Sequence, residues 1–256
     1  MNEITSITRR RLLATGIACG TMAGAGPQAL AAQPKRPPVF VELFTSQGCS
    51  SCPPADKFMG ELVQRPGIIA VSMNVDYWNY LGWRDTLSQA VFTRRQKEYA
   101  SRRGDGQVYT PQMVINGRSH VVGSHKQTVL EEIGRQASVP ASYFVPVSLS
   151  AKGNELDIEV GGGPTDRIIQ ASTLWVMSVV PEVTVAIERG ENSGREITYH
   201  NVVRQLTPAG MWKGEAISLS LPKKHVIEGQ SGMCVAVLQG DNGGVVLGCA
   251  AMTATS

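Results

Sequence analysis

The 256-residue sequence holds no run of about 18 consecutive apolar residues, so no membrane-spanning helix is expected. Neither sign of charge dominates: 24 Lys and Arg stand against 21 Asp and Glu. That near-balance points away from nucleic acid and from anionic membrane surfaces. Cysteine is scarce, at five residues, and a single Cys-x-x-Cys occurs, Cys49 to Cys52. A four-ligand zinc site needs two further ligands at suitable spacing. No second Cys-x-x-Cys exists, and His120 and His125 fall in no ligand motif, so neither a metal nor a cofactor is implied. Internal repeats and long low-complexity segments are also absent.

What is present begins with a targeting pattern. Arg9-Arg10-Arg11 precedes a weakly apolar stretch, Ala14 to Gly26, and then the small-x-small site Ala29-Leu30-Ala31. This order predicts a signal peptide over 1–32, and the paired arginines before Leu12-Leu13 resemble a twin-arginine signal. Periplasmic or secreted localisation follows. Cleavage would remove three arginines and one glutamate, leaving 21 basic and 20 acidic residues and a net charge of about +1. Cys49, Cys52, Cys234 and Cys249 would then meet an oxidising compartment, where disulfides persist.

Residues 37–137 alternate strand-like and helix-like segments, which predicts an α/β domain. Val39 to Thr45 reads as a buried strand, Ala55 to Gln64 as a helix stopped by Pro66-Gly67, and Ile68 to Val75 as a second strand. Thr86 to Arg103 reads as a long helix opened by a Thr86/Gln89 capping box, with Gly104 just past its end. Asn116-Gly117 predicts a tight hairpin turn, and Ser124/Gln127 a capping box before a last helix. Beyond Val139-Pro140 the sequence turns into short strands and turn signals. This predicts an all-β, sandwich-like domain over 143–252.

The chemistry centres on Cys49-Ser50-Ser51-Cys52, between a strand and a helix. A thiolate at a helix N-terminus is stabilised by free N–H groups and the helix dipole, and its pKa can fall from about 8.5 to roughly 3.5–7.5. Cys49 is then a nucleophile near neutral pH, and Cys52 is spaced to resolve a mixed disulfide. An inert structural staple is the alternative. Pro53 and Pro54 suit the first helical turn. Glu42 lies between Phe40 and Phe44 on one strand face, where desolvation raises a carboxyl pKa; pairing with a lysine or arginine is the alternative. The loop from Asp76 to Trp83 holds four aromatics. Trp78 and Trp83 could form a substrate platform or anchor the loop in the core.

The order strand, Cys-x-x-Cys, helix, then Thr110-Pro111 before a strand resembles the thioredoxin superfamily. The resemblance implies that Pro111 is cis, that Thr110 presents backbone groups to a bound peptide, and that Glu42 moves the resolving cysteine's proton. Val41 to Asp56, Val75-Asp76-Tyr77-Trp78, Leu81 to Asp85, Arg95-Gln96, Tyr109 to Met113, Gly190-Glu191-Asn192 and Asn201 to Arg204 resemble a secreted thioredoxin-like family known as domain of unknown function 1223. Asn74 departs from that family, which more usually has histidine there. The fold class implied is an α/β thioredoxin-like domain followed by the all-β sandwich-like domain.

In the second half, a two-residue Asp241-Asn242 turn would set Cys234 directly opposite Cys249. Facing Cβ atoms are about 4.5–5.5 Å apart, slightly wide of the disulfide mean of about 3.8 Å, so a structural disulfide or two buried free thiols are both open. Three functions follow. The first is thiol–disulfide exchange with the thiols or disulfides of exported proteins, through Cys49 and Cys52. The second is a non-catalytic binding module. The third is a copper carrier, since paired thiolates suit Cu(I).

Overall fold

The protein is described here by a computed structural model covering residues 36–163, 171–226 and 232–253. The targeting pattern at 1–32 lies outside the described residues. The described residues form one compact unit.

Strand β1 (Val39–Thr45) is buried along its whole length. Every residue is apolar except Glu42 and Thr45, which suits a strand covered on both faces. Parallel β2 (Ile68–Asn74) lies on one side of it and antiparallel β3 (Gln112–Ile115) on the other. Asn116 and Gly117, at φ 48° and 63°, turn β3 into β4 (Ser119–Val122), as the sequence predicts. Helices α1 (Pro53–Leu62) and α3 (Lys126–Ala137) cover one face, burying Phe58, Met59, Val129 and Ile133 against Val39, Val41 and Leu43. Helix α2 (Ala90–Arg103) covers the other. It starts later than the predicted Thr86. Gln89 makes no cap and instead donates to the Arg204 carbonyl, while Thr86 Oγ1 accepts from Gln47.

The expected fold class is corrected by the second half. The chain is mostly β. Its later strands do not form a separate sandwich but extend the first sheet. Strands β7 (Ser172–Ala186) and β8 (Glu196–Trp212) make a long antiparallel hairpin, and β8 joins β2 through the parallel pair Ser72↔Val202. Ser72 Oγ donates to the His200 carbonyl and Asn201 Nδ2 to the Ala70 carbonyl, both at 2.8 Å. With β10 (Met233–Gly240) and β11 (Val246–Thr253), one eight-stranded sheet runs β11-β10-β7-β8-β2-β1-β3-β4. A second sheet of β5 (Val147–Lys152), β6 (Glu155–Val160) and β9 (Ile217–Pro222) packs over Leu174, Val176, Ala236 and Leu238.

The cause is a shared apolar core. Phe40, Phe44, Val71, Phe92 and Tyr99 from the first half pack with Met177, Val179, Val203, Val235 and Val246 from the second in one cluster. At about 25 cal/mol per Å² of apolar surface, burying that common face favours one continuous sheet over two exposed edges. Each arm of the β7–β8 hairpin is roughly 50 Å long at about 3.4 Å per residue. Its closed end therefore reaches well past β2, to the N-terminus of α1.

Candidate functional site

Cys49 and Cys52 are joined by a disulfide, with Cα atoms 5.4 Å apart. Cys52 is the N-cap of α1, and Pro53 and Pro54 occupy its first turn, where no N–H is needed. A tight turn presents the pair: Cys49 N–H donates to the Ser46 carbonyl and Cys52 N–H to the Cys49 carbonyl. Ser50 and Ser51 are exposed, but Cys49 is only 1% exposed and Cys52 0%. Ser51 Oγ lies 3.3 Å from Cys49 Sγ and 3.5 Å from the Thr110 carbonyl. Gly48 is closely packed, since a Cβ there would sit 3.1 Å from Trp78 Cβ and 3.3 Å from the Trp78 carbonyl oxygen.

The Thr110–Pro111 peptide is cis, as the resemblance implies. Trp78 Nε1 donates to Thr110 Oγ1 and Trp83 Nε1 to Gln47 Oε1, each at 2.8 Å. Both indoles therefore anchor the loops flanking the disulfide. Tyr80, 78% exposed, is the most open ring of that aromatic loop; Tyr77, Trp78 and Trp83 are half-buried. The chain leading into Thr110 is held from the side: Tyr109 Oη lies 2.7 Å from His120 Nδ1, and Asp105 Oδ2 3.2 Å from His120 Nε2.

Glu42 is not near the cysteines. Strand alternation turns it to the α2 face, opposite α1. There its carboxylate accepts from Arg95 Nε at 2.6 Å and from the Tyr99 hydroxyl. Gln239 Nε2 from β10 also donates to that hydroxyl, at 2.9 Å. Glu42 is the centre of a buried ionic knot tying β1, α2 and β10 together, which is the paired alternative that the sequence left open.

A second buried acid is Asp56. It lies four residues after Cys52, on the same face of α1, and is 1% exposed. Its Oδ1 accepts from Thr45 Oγ1 at 2.7 Å, and its Oδ2 has no partner. Burial pushes the Asp56 pKa up to about 8; the Thr45 hydrogen bond opposes this and the Asp85 carboxylate adds to it. Asp85 is also shifted up by burial, against bonds from Asn74 Nδ2 (2.9 Å) and the Gln47 N–H (2.8 Å). Asn74 Oδ1 and the Tyr199 hydroxyl are likewise buried without partners, and the Tyr199 pKa is raised by burial and by both aspartates. In the sequence Asp56 looks like an ordinary first-turn helix acid. Its one signal is the i,i+4 spacing from Cys52.

Asn192 belongs to the Gly190-Glu191-Asn192 motif, whose place beside the cysteines was not legible in the sequence. It stands in the turn between β7 and β8, is 0% exposed, and donates through Nδ2 to the carbonyls of Gln47 and Cys49, both at 2.9 Å.

Cys234 and Cys249 are free thiols. The connection at Gly240–Val245 is longer than two residues and a bulge follows at Leu238/Gln239, so Cys234 pairs with Met252 and Cys249 with Val237. That odd-numbered slip turns the two side chains to opposite faces and corrects the expected facing pair. Cys234 sits under the small sheet and Cys249 in the shared core. Burial raises both thiol pKa values to about 12.

The model of one family, protein of unknown function (DUF1223), matches residues 40–239. The chain belongs to that family. A crystal structure of protein AGR_C_4864 from Agrobacterium tumefaciens is 32% identical; the match covers 85% of this chain and 95% of that one, with a TM-score of 0.71. HBP35 of Porphyromonas gingivalis shares the fold at 12% identity, over 86% of this chain and 78% of that one, with a TM-score of 0.60. No curated protein matches the chain. Among the described residues of this DUF1223 protein, no helix is long and apolar enough to cross a membrane.

Proposed function

We propose that this protein is an exported thiol–disulfide oxidoreductase of the periplasm or the secreted fraction, with Cys49–Cys52 as its redox couple and thiols or disulfides of exported proteins as its partners. One observation carries the reading. The disulfide closes at the N-terminus of α1, one helical turn before a buried acid whose pKa is pushed up to about 8.

The steps balance. In the reducing direction the Cys49 thiolate attacks a partner disulfide, forming a Cys49–partner bond and expelling the partner's other sulfur as a thiolate. Cys52 then gives its proton to the Asp56 carboxylate and attacks Cys49 Sγ. The Cys49–Cys52 bond forms and the partner leaves reduced. The oxidising direction runs in reverse, with Asp56 returning the proton to the Cys52 thiolate. Asp56 thus takes the proton-transfer role that the sequence suggested for Glu42. Ser51 Oγ is in reach to donate to the Cys49 thiolate, and Thr110 supplies a backbone carbonyl beside it. Trp78 and Trp83 hold these loops in place, and Tyr80 is the ring free to meet a partner.

A Cys52→Ala variant, left with Cys49 as its only active thiol, should accumulate mixed disulfides with exported proteins. A variant that accumulates none under oxidising conditions sinks the reading. The near-complete burial of Cys49 favours a second reading, a binding module in which the disulfide is a staple. In that case partner binding survives loss of both cysteines.

A further inference from the structure

The turn joining β7 to β8 is hydrogen-bonded to the backbone of the segment that carries the disulfide. Its base is fixed by Ile187 and Ile197, which pack with Leu87 and Tyr199. Its tip is bonded within itself: Ser193 N–H donates to the Gly190 carbonyl, Gly194 N–H to the Ile187 carbonyl, and Ser193 Oγ to the Glu188 carbonyl. Gly190 seats against Trp83, where a Cβ would lie 3.2 Å from the Trp83 Cβ. The tip's polar hold on the Cys-x-x-Cys segment consists of three hydrogen bonds. Two run from Asn192 Nδ2 to the Gln47 and Cys49 carbonyls at 2.9 Å, and one from the Ser50 N–H to Glu191 Oε2 at 3.3 Å. Cys49 itself is almost wholly buried, although Ser50 and Ser51 beside it are exposed.

We propose that residues 188–194 form a gate over Cys49, latched by Asn192 and Glu191, which lifts to admit the sulfur of a protein partner. This deepens the thiol-exchange reading and rests on it. An attacking sulfur must approach Cys49 Sγ from the side opposite the bond being broken, and a protein-sized partner needs more surface than a covered residue offers. The second half of the chain thereby controls the chemistry of the first. An ordinary hydrogen bond biases such an equilibrium about fivefold, so three hold the gate shut on the order of 10²-fold.

The test labels Cys49 in the full chain carrying Cys52→Ser, so that it reads the gate whether or not the wild-type pair cycles. Iodoacetamide modification of Cys49, Cys234 and Cys249 is followed separately by peptide mass spectrometry, at a pH on the plateau of the Cys49 profile. Adding Asn192→Ala should speed Cys49 labelling about 30-fold, because two of the three latch bonds are lost. Adding Glu191→Ala instead should speed it about fivefold, and this milder change serves if the asparagine variant does not fold. Cys234 and Cys249, buried elsewhere in the same molecule, should not change. Labelling of Cys49 as slow in both variants as in the parent overturns the gate, and so does acceleration of all three cysteines in step, which marks general loosening. The exchange reading itself fails on a different result, the lack of a reversible Cys49–Cys52 couple in the wild-type protein.

Discussion

Replacing Asp56 with asparagine should make the protein more stable and less active, and the gain in stability should depend on pH. Burial pushes the Asp56 pKa up to about 8, while an unfolded chain gives about 3.9. Between these values the folded state keeps a proton that the unfolded state has released. Wild-type stability therefore falls as pH rises from about 4 to about 8, and is flat for this group outside that window. At about 1.4 kcal/mol per unit, the shift costs on the order of 4 kcal/mol at pH 7. Asparagine keeps an oxygen for the Thr45 hydroxyl, but its amide must find a buried partner, which takes back about 1–3 kcal/mol. The net gain should be about 1–3 kcal/mol at pH 7, larger at pH 8, and turned into a loss of about 1–3 kcal/mol near pH 4, where only the amide penalty remains. Urea unfolding of both proteins at pH 5, 6, 7 and 8 measures this, with Asp85 present in each. Loss of the proton acceptor should slow thiol exchange on the order of 10²-fold. Identical pH dependences of stability in the two proteins would refute the raised pKa of Asp56.

Tyr99→Phe should destabilise by about 1–3 kcal/mol, since Glu42 and Gln239 each lose a buried partner; chemical denaturation reads it, and a neutral result contradicts the buried knot. Arg95→Met should be worse, by about 3–5 kcal/mol, because it leaves the Glu42 carboxylate buried and uncompensated. Gly243→Ala should destabilise by more than about 1 kcal/mol, because the residue holds φ 70° and a Cβ would come within 2.7 Å of the Glu98 backbone; a melting temperature equal to wild type would show that the β10–β11 connection does not pack on α2. Denatured without reductant, the protein should be alkylated at Cys234 and Cys249 but not at Cys49 and Cys52, and peptide mapping decides this.

Much of the site's immediate frame was legible. The apolar run of β1, the prolines after Cys52, the Asn116-Gly117 turn and Gly104 at the end of α2 are local signals, and each carries a local physical cause. What stayed hidden depends on contacts between distant segments. Phe40, Glu42 and Phe44 reveal a buried face, but not that Arg95 and Tyr99 would meet the carboxylate from α2. The strands of the second half were readable one by one. That β8 would leave its own half and pair with β2 rests on Ser72 and Asn201 finding carbonyls more than a hundred residues away. Cys234 and Cys249 were misplaced because a hairpin register moves with loop length, and the loop is longer than the Asp-Asn dipeptide suggests. Asn192 reads as one polar residue in a glycine-bounded turn. Only the reach of the β7–β8 hairpin brings it to Cys49.

The most direct measurement is a redox titration of Cys49 and Cys52 in glutathione buffers, with Cys234 and Cys249 followed separately. The proposed exchange function requires a reversible two-electron couple between about −270 and −120 mV, the span of known exchange proteins. A couple below about −300 mV, or none, would make the disulfide a structural staple and contradict the account.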